Sequence, residues 1–326
     1  MVWLRSRQTL TYLILAMLIL SLSYMIFTDN TYEMEAVRFA GNHLQFLRSN
    51  ALVDTEKPAS SKAKERSDAI KMNLQKTCTT FNISLPVNSF MMGHMHYDDT
   101  SKAIYCFIPK VACTSWKRVW MKLTGIVPLD KDLSTIERRF IHTGLPLLKS
   151  NMESELKLKT YKKFIFVRHP FDRVLSAFKD KLESFDKSST YDFHKEIGMK
   201  IQQKYREKTN GGHNVTFTEF IRYITESGPL SYEQRNEHWL SMHEICNPCA
   251  VQYDFIGKFE TLKEDADYVL DWLGAKNIVA SFPMSDRPFY TRRYDPKYFN
   301  SLDHKTKMKF FAKYLADFVA FDYRFL

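Results

Sequence analysis

The sequence predicts an α/β domain with a largely parallel central sheet flanked by helices, preceded by a single N-terminal transmembrane helix and a stem. Three observations lead there. Short apolar runs rich in β-formers recur after Lys102. Amphipathic helical patterns lie between those runs. An uncharged stretch of 18 residues, Leu10 to Phe27, sits near the N-terminus. Strands alternating with helices build parallel sheets, because each parallel return needs a crossover. The 326 residues are 44% hydrophobic and 26% charged, with 10 Gly and 11 Pro, which excludes a wholly disordered chain and a collagen-like fibre.

The elements follow in chain order. Leu10–Phe27 (LTYLILAMLILSLSYMIF) is just long enough to cross a bilayer as a helix. Arg5 and Arg7 precede it, whereas Asp29, Glu33 and Glu35 follow it. The positive-inside bias therefore gives residues 1–9 as a cytosolic tail, 10–27 as the signal-anchor and everything later as luminal. A cleaved signal peptide would end in a better small-residue site than Ser21-Leu22-Ser23. This is the layout of a type II Golgi or ER protein. Residues 28–99 read as a luminal stem with some helix around Glu33–Leu47. Within it Thr55–Asp68 (TEKPASSKAKERSD) is too polar to offset its ordering entropy by burial. Two sequons, at Asn82 and Asn214, agree with luminal glycosylation.

Residues 100–326 hold the folded domain. Its strand candidates are Ala103–Ile108, Phe164–Val167 and a run within Tyr253–Gly257. Helical patterns cover Ser115–Leu123, Asp172–Phe185, Thr216–Ile224, Leu262–Leu273 and Thr306–Phe318. Thr216 and Glu219 form a capping box at the start of the third.

A net charge of +10 and a pI near 9.2 favour anionic partners, and the anchor turns that preference away from nucleic acid towards acidic glycans or nucleotide phosphates. Five cysteines are too few for a disulfide scaffold. The CxxC of Cys246 and Cys249 lacks the second pair that zinc needs and the context of a redox motif. In an oxidising lumen a disulfide is expected: either these two pair locally, or one reaches Cys78, Cys106 or Cys113, with at least one thiol of the five left over. His94-Met95-His96 lacks further ligands, and no metal is expected.

Two motifs suit phosphate. The first strand runs into Pro109-Lys110-Val111-Ala112-Cys113-Thr114-Ser115-Trp116 and then a helix. Such a junction offers free backbone N–H groups at a helix N-terminus. Lys110 adds charge, and Thr114 and Ser115 add hydroxyls. Both Walker A glycines are missing and the lysine comes before the turn, which opposes a P-loop kinase. The second strand ends in Arg168-His169-Pro170-Phe171-Asp172-Arg173-Val174-Leu175-Ser176. Arg168 stands at the strand's carboxyl end, where open α/β sheets bind ligands. Asp172 is placed to cap the next helix, and Ser176 lies one turn into it. Two phosphate cradles suit a nucleotide phosphorylated at two places.

Here the sequence resembles the sulfotransferases, and among them the Golgi carbohydrate sulfotransferases of the chondroitin and dermatan 4-O group, which includes the natural-killer-epitope enzyme. The resemblance rests on IYCFIPKVACTSWKRV (104–119), FIFVRHPFDRVLSAF (164–178), NEHW (236–239) and CNPC…YDFIGKFETLKEDADYVL (246–270). It implies a P-loop-like sulfotransferase fold and 3′-phosphoadenosine 5′-phosphosulfate (PAPS) as donor. The 109–116 loop would hold the 5′-phosphosulfate, and Arg168 and Ser176, with Arg173 in the same motif, the 3′-phosphate. Lys110 would stabilise the leaving phosphate. A general base should take the acceptor proton. His142 lies where related uronyl 2-O-sulfotransferases carry a catalytic His, and His238 in NEHW is the second candidate, with Glu237 beside it. His169 faces the donor and suits the role less. Lys117, Arg118, Arg138, Arg139, Arg287, Arg292 and Arg293 are available to an acidic glycan. The implied acceptor is O-4 of N-acetylgalactosamine in chondroitin or dermatan. The alternatives are another acceptor, such as O-3 of terminal glucuronic acid, or a non-catalytic luminal glycan-binding protein. The intact Lys110, Arg168 and Ser176 oppose the last.

Overall fold

Four strands form one sheet in the order β1 (Met95–Asp98), β2 (Ala103–Cys106), β3 (Lys162–Val167), β4 (Phe255–Lys258). β2, β3 and β4 are parallel, with Tyr105 opposite Phe164 and Phe164 opposite Phe255. β1 adds an antiparallel edge, Met95 facing Cys106. The structure is a computed structural model that describes residues 58–81, 83, 86–183, 191–226, 235–284 and 295–325. These lie in one compact unit, Lys57–Leu326. The expected membrane span, the helix around Glu33–Leu47, Asn82, Arg287, Arg292 and Arg293 lie outside them. No described helix is long and apolar enough to cross a membrane.

The helices that bear on the site are α1 (Ala59–Thr80), α2 (Ser89–Met92), α3 (Cys113–Leu123), α4 (Pro170–Phe178), α5 (Phe217–Ile224), α6 (Met242–Cys246), α7 (Leu262–Trp272), α8 (His304–Lys313) and α9 (Leu315–Ala320). α3 lies on the sheet through an aromatic stack. The Trp116 ring sits 5.5 Å from Tyr105, 5.0 Å from Phe164 and 5.1 Å from Phe166. Gly257 on β4 lets the Phe166 ring cross that strand, since a Cβ there would lie 2.4 Å from Phe166 Cε1. A second core joins Phe171 and Phe178 of α4 to Phe217 and Phe220 of α5, Phe310 of α8 and Phe318 of α9.

The three expected strands and the parallel sheet are present, and α5 begins with the expected capping box at Thr216 and Glu219. Several boundaries differ. α4 starts at Pro170 after His169, without a side-chain cap, so Asp172 is an interior residue of the first turn. α4 ends at Phe178 and continues as a π-helical segment, Lys179–Glu183. The 306–318 pattern is two helices, α8 and α9, broken at the buried Tyr314, whose hydroxyl donates to the Trp239 carbonyl.

The stem reading is corrected from Pro58 onwards. Ala63, Ser67, Ile70, Leu74 and Thr77 form a buried stripe on α1. The Ile256 N–H donates to Ser67 Oγ at 2.9 Å, and Arg66 pairs with the buried Asp265 of α7. Small and hydroxyl residues in that stripe kept its mean hydropathy low and concealed the face. Of the two cysteine alternatives the distant one holds, for both thiols of the CxxC. Cys246 and Cys249 do not pair locally: Cys78 bonds Cys249 and Cys106 bonds Cys246, while Cys113 stays free. α6 turns into the following helix through Asn247 in the left-handed region, and each thiol meets a different partner. The two bridges tie α1 and β2 to this turn.

Candidate active site

The β2–α3 junction makes two left-handed turns without glycine, at Lys110 (φ 71°) and Ala112 (φ 55°). Such conformations cost non-glycine residues about 1 kcal/mol or more and collect at functional sites. Here they stand in for the glycines of a P-loop. Ala112 occupies the N-cap of α3 and no side chain caps that end. Trp116 is the residue whose N–H returns to the Ala112 carbonyl, at 3.1 Å. The amides of the first turn therefore have no side-chain cap, an arrangement that favours an anion. Thr114 and Ser115 are half-buried there. Val111 and Trp116, expected to touch the donor, are fully buried and belong to the core. The free Cys113 is half-buried at the first helical position.

Lys110 Nζ lies 3.2 Å from Asp180 Oδ2, and Lys181 Nζ is 3.6 Å from the same oxygen. Burial lowers the Lys110 pKa, and the Asp180 pair opposes the fall. Asp180 sits in the π-helical segment, a local irregularity often found at functional sites. In the sequence DKLE reads as ordinary helix surface.

Arg168 is 4% exposed, its guanidinium 4.2 Å from the Phe259 ring centre. Its Nη1 donates to the Lys110 carbonyl at 3.1 Å, so the two phosphate motifs meet. Burial lowers it to about 10, which leaves it charged at neutral pH. Ser176 is buried on α4. Arg173 departs from the expectation. It is 1% exposed and donates to three carbonyls: Pro109 at 3.0 Å, Leu240 at 2.6 Å and Glu237 at 2.9 Å. It braces the 109–116 loop against the 236–240 turn. His169 likewise packs between Phe318 and Tyr323, with Nε2 on the Arg324 carbonyl at 2.9 Å.

The 236–240 turn carries the second half of the site. Asn236 Oδ1 accepts from the backbone N–H of His238 at 3.0 Å and lies 2.8 Å from His238 Nδ1. Nδ1 must therefore carry the proton, which leaves Nε2 as the basic nitrogen. Burial, then Lys181, push His238 down to about 3, with Lys110 acting the same way and Glu237 and Asp180 opposing. His238 thus shares the electrostatic surroundings of the donor-loop lysine. His142, the other candidate base, is exposed at the end of the short helix Arg138–Ile141 and acts electrostatically on His96. Electrostatic contacts join Lys110, Asp180, Lys181 and Glu237 to His238, and join His142 to His96.

Glu237 Oε2 is 2.8 Å from His94 Nε2. Burial works against its ionisation, but the His94 bond and the nearby His238 and Lys117 hold it at about 2, so it is a carboxylate at neutral pH, already engaged by His94. Lys117 is buried, its ammonium 3.6 Å from the Phe107 ring centre, and Phe107 packs between His94 and His96. Arg118 donates to the Ile136 carbonyl at 2.8 Å. The paired histidines before the first expected strand, which lacked the ligands for a metal, are thus part of this wall. Asn214 is exposed in a left-handed turn before α5, accessible to modification.

Comparison with known proteins bears on this geometry. Residues 93–324 match the model of the sulfotransferase family. The chain is 34% identical over 241 residues to mouse "Carbohydrate sulfotransferase 11", covering 71% of this chain and 67% of that protein. It is 34% identical over 244 residues to Danio rerio "Carbohydrate sulfotransferase 14", covering 72% and 63%. It is 33% identical over 271 residues to Pongo abelii "Carbohydrate sulfotransferase 10", covering 79% and 72%. No solved structure matches the chain.

Proposed function

The chain belongs to the sulfotransferase family, and from that premise we propose that it transfers a sulfuryl group from PAPS to O-4 of N-acetylgalactosamine in chondroitin or dermatan. One observation carries the reading: an uncapped helix N-terminus with Lys110 and Arg168 beside it, set next to a histidine whose tautomer leaves Nε2 basic. Similarity to carbohydrate sulfotransferases supports a sugar acceptor. The apolar segment 10–27 and the two disulfides support a type II Golgi protein with its catalytic part in the lumen.

The residues fit a doubly phosphorylated nucleotide. The first-turn amides of α3, with Thr114 and Ser115, would hold the 5′-phosphosulfate, and Arg168 with Ser176 the 3′-phosphate. When bound, PAPS supplies an activated sulfuryl group, whose bond to the 5′-phosphate breaks as the sugar oxygen bonds to sulfur. Lys110 turns from Asp180 to the bridging oxygen and neutralises the charge growing there. His238 Nε2 takes the hydroxyl proton. Arg173 fixes the distance between the two loops.

The test is transfer from labelled PAPS by the purified chain to desulfated chondroitin, dermatan, heparosan and terminal-glucuronate glycans, with Lys110→Ala as control. Label at GalNAc O-4 that disappears in the variant is the expected result. Label on another sugar keeps the chemistry and replaces the acceptor. No transfer and no binding of the product nucleotide PAP would overturn the reading.

A further inference from the structure

The chemistry above leaves Phe90 and Glu237 unused. Phe90 lies on α2, just before Met91 and Met92, which are 4% and 6% exposed, yet Phe90 itself is 44% exposed. Asn88 fixes the start of that turn by accepting the Met91 N–H at 3.0 Å. The ring is therefore held out by an anchored backbone rather than left over from a loose loop. It sits 4.6 Å from the His94 ring. His94 Nδ1 donates to the carbonyl of Phe90 itself at 2.8 Å, and His94 Nε2 meets Glu237 Oε2 at 2.8 Å. One imidazole thus locks an exposed aromatic ring and a carboxylate, 40% exposed, in a fixed relation. Glu237 precedes His238 in the chain, so the pair adjoins the reacting group.

We propose that Phe90 and Glu237 form a subsite for an uncharged pyranose ring of the acceptor glycan, Phe90 stacking on its C–H face and Glu237 accepting from its hydroxyls. The inference rests on the carbohydrate-acceptor reading above. An aromatic face attracts the positively polarised C–H groups of a sugar, and a carboxylate accepts hydroxyl protons in charge-assisted bonds. The same carboxylate repels a uronate, which assigns the subsite to the neutral sugar of an alternating acidic glycan.

The experiment is calorimetric titration of the full chain with an unsulfated chondroitin tetrasaccharide, with its carboxyl-reduced, wholly neutral counterpart, and separately with PAP. Phe90→Ala should bind both oligosaccharides about tenfold more weakly, about 1.4 kcal/mol. Phe90→Trp should stay within about twofold. PAP affinity should be the same in all three proteins. Unchanged oligosaccharide affinity in Phe90→Ala, or a matching loss of PAP affinity, would overturn the subsite. A loss confined to the carboxylated probe would put a uronate on Phe90 and equally overturn it. A wild-type chain that binds PAP but neither oligosaccharide refutes the subsite and leaves sulfuryl transfer standing. Phe90-dependent glycan binding without PAP binding does the reverse.

Discussion

Replacing Asp180 with Asn isolates the electrostatic control of Lys110. The carboxylate is 3.2 Å from Lys110 Nζ, and the two side chains are 12% and 16% exposed. At an effective dielectric constant of about 20, that separation is worth about 5 kcal/mol of attraction. Lys181, 3.6 Å from the same oxygen, shares the carboxylate and reduces the part available to Lys110. A neighbouring opposite charge ordinarily moves a pKa by about one to three units. Asparagine keeps the shape and removes the charge. Burial then lowers Lys110 unopposed by this partner, and its proton leaves at lower pH. Lys110 is an ammonium below its pKa, so activity that needs the charge falls as pH rises through it. The alkaline limb of kcat/KM for PAPS should therefore shift to lower pH in Asp180→Asn. The assay is the initial rate of label transfer at subsaturating PAPS, from about pH 6 to pH 10, in both proteins. A limb that stays in place, or moves to higher pH, would refute the claim that Asp180 sets the protonation of Lys110.

His238→Ala should lower kcat by about 10²–10⁴-fold, and by more than His142→Ala, as read from single-turnover transfer rates. Arg173→Lys keeps the charge but cannot reach three carbonyls, so it should lower stability by about 2–4 kcal/mol in denaturant titrations. Cys106→Ser combined with Cys246→Ser removes a bridge nested inside the Cys78–Cys249 loop, and should cost about 3–4 kcal/mol on chain-entropy grounds, seen as a lower Tm. Asp317 is fully buried, and burial lifts it from 3.8 to about 6. The folded chain then holds a proton that the unfolded chain releases between about pH 4 and pH 6. Its stability should fall by up to about 3 kcal/mol as pH rises across that window. Asp317→Asn should lack this part of the slope in a series of Tm measurements against pH.

The parallel sheet was legible because buried strands are uniform apolar runs: AIYCFI and FIFV leave no competing period. The donor loop was legible because strand, lysine, hydroxyls and helix are contiguous. What the sequence hid is non-contiguous or weakly apolar. α1 buries Ser67 and Thr77 beside Ile70 and Leu74, so its stripe averages to a polar tether. β1 contains His96 and ends at Asp98, a poor strand by composition, held by β2 on one edge and by a bridge from His96 to Leu147 on the other. Asp180 gains its meaning from Lys110, 70 positions away in the chain, and His94 from Glu237, 143 positions away. Arg173 looked like a ligand residue because charge in a phosphate motif is usually exposed. Burial decides otherwise, and burial is a property of the fold.

That buried arginine explains how two loops from different crossovers come to act as one site. The donor loop leaves β2 in left-handed turns that Lys110 and Ala112 do not favour. The turn at 236–240 belongs to no strand of the sheet. Neither would hold its place by local preference alone. Arg173 lies on α4, itself packed in the second aromatic core, and its rigid fork reaches Pro109 on one side and Glu237 and Leu240 on the other. Desolvating the guanidinium is costly, but three charge-assisted bonds offset much of that cost. The same contacts leave little freedom to the separation between Lys110 and His238. The Arg168 bond to the Lys110 carbonyl and the Cys106–Cys246 bridge act in the same direction, since each links β2 or its loop to an element at the far side of the site. Sulfuryl transfer depends on positioned charge more than on covalent help from the protein. On this account a conservative change at Arg173 should harm catalysis through geometry, lowering kcat while leaving the charges that face the ligand in place.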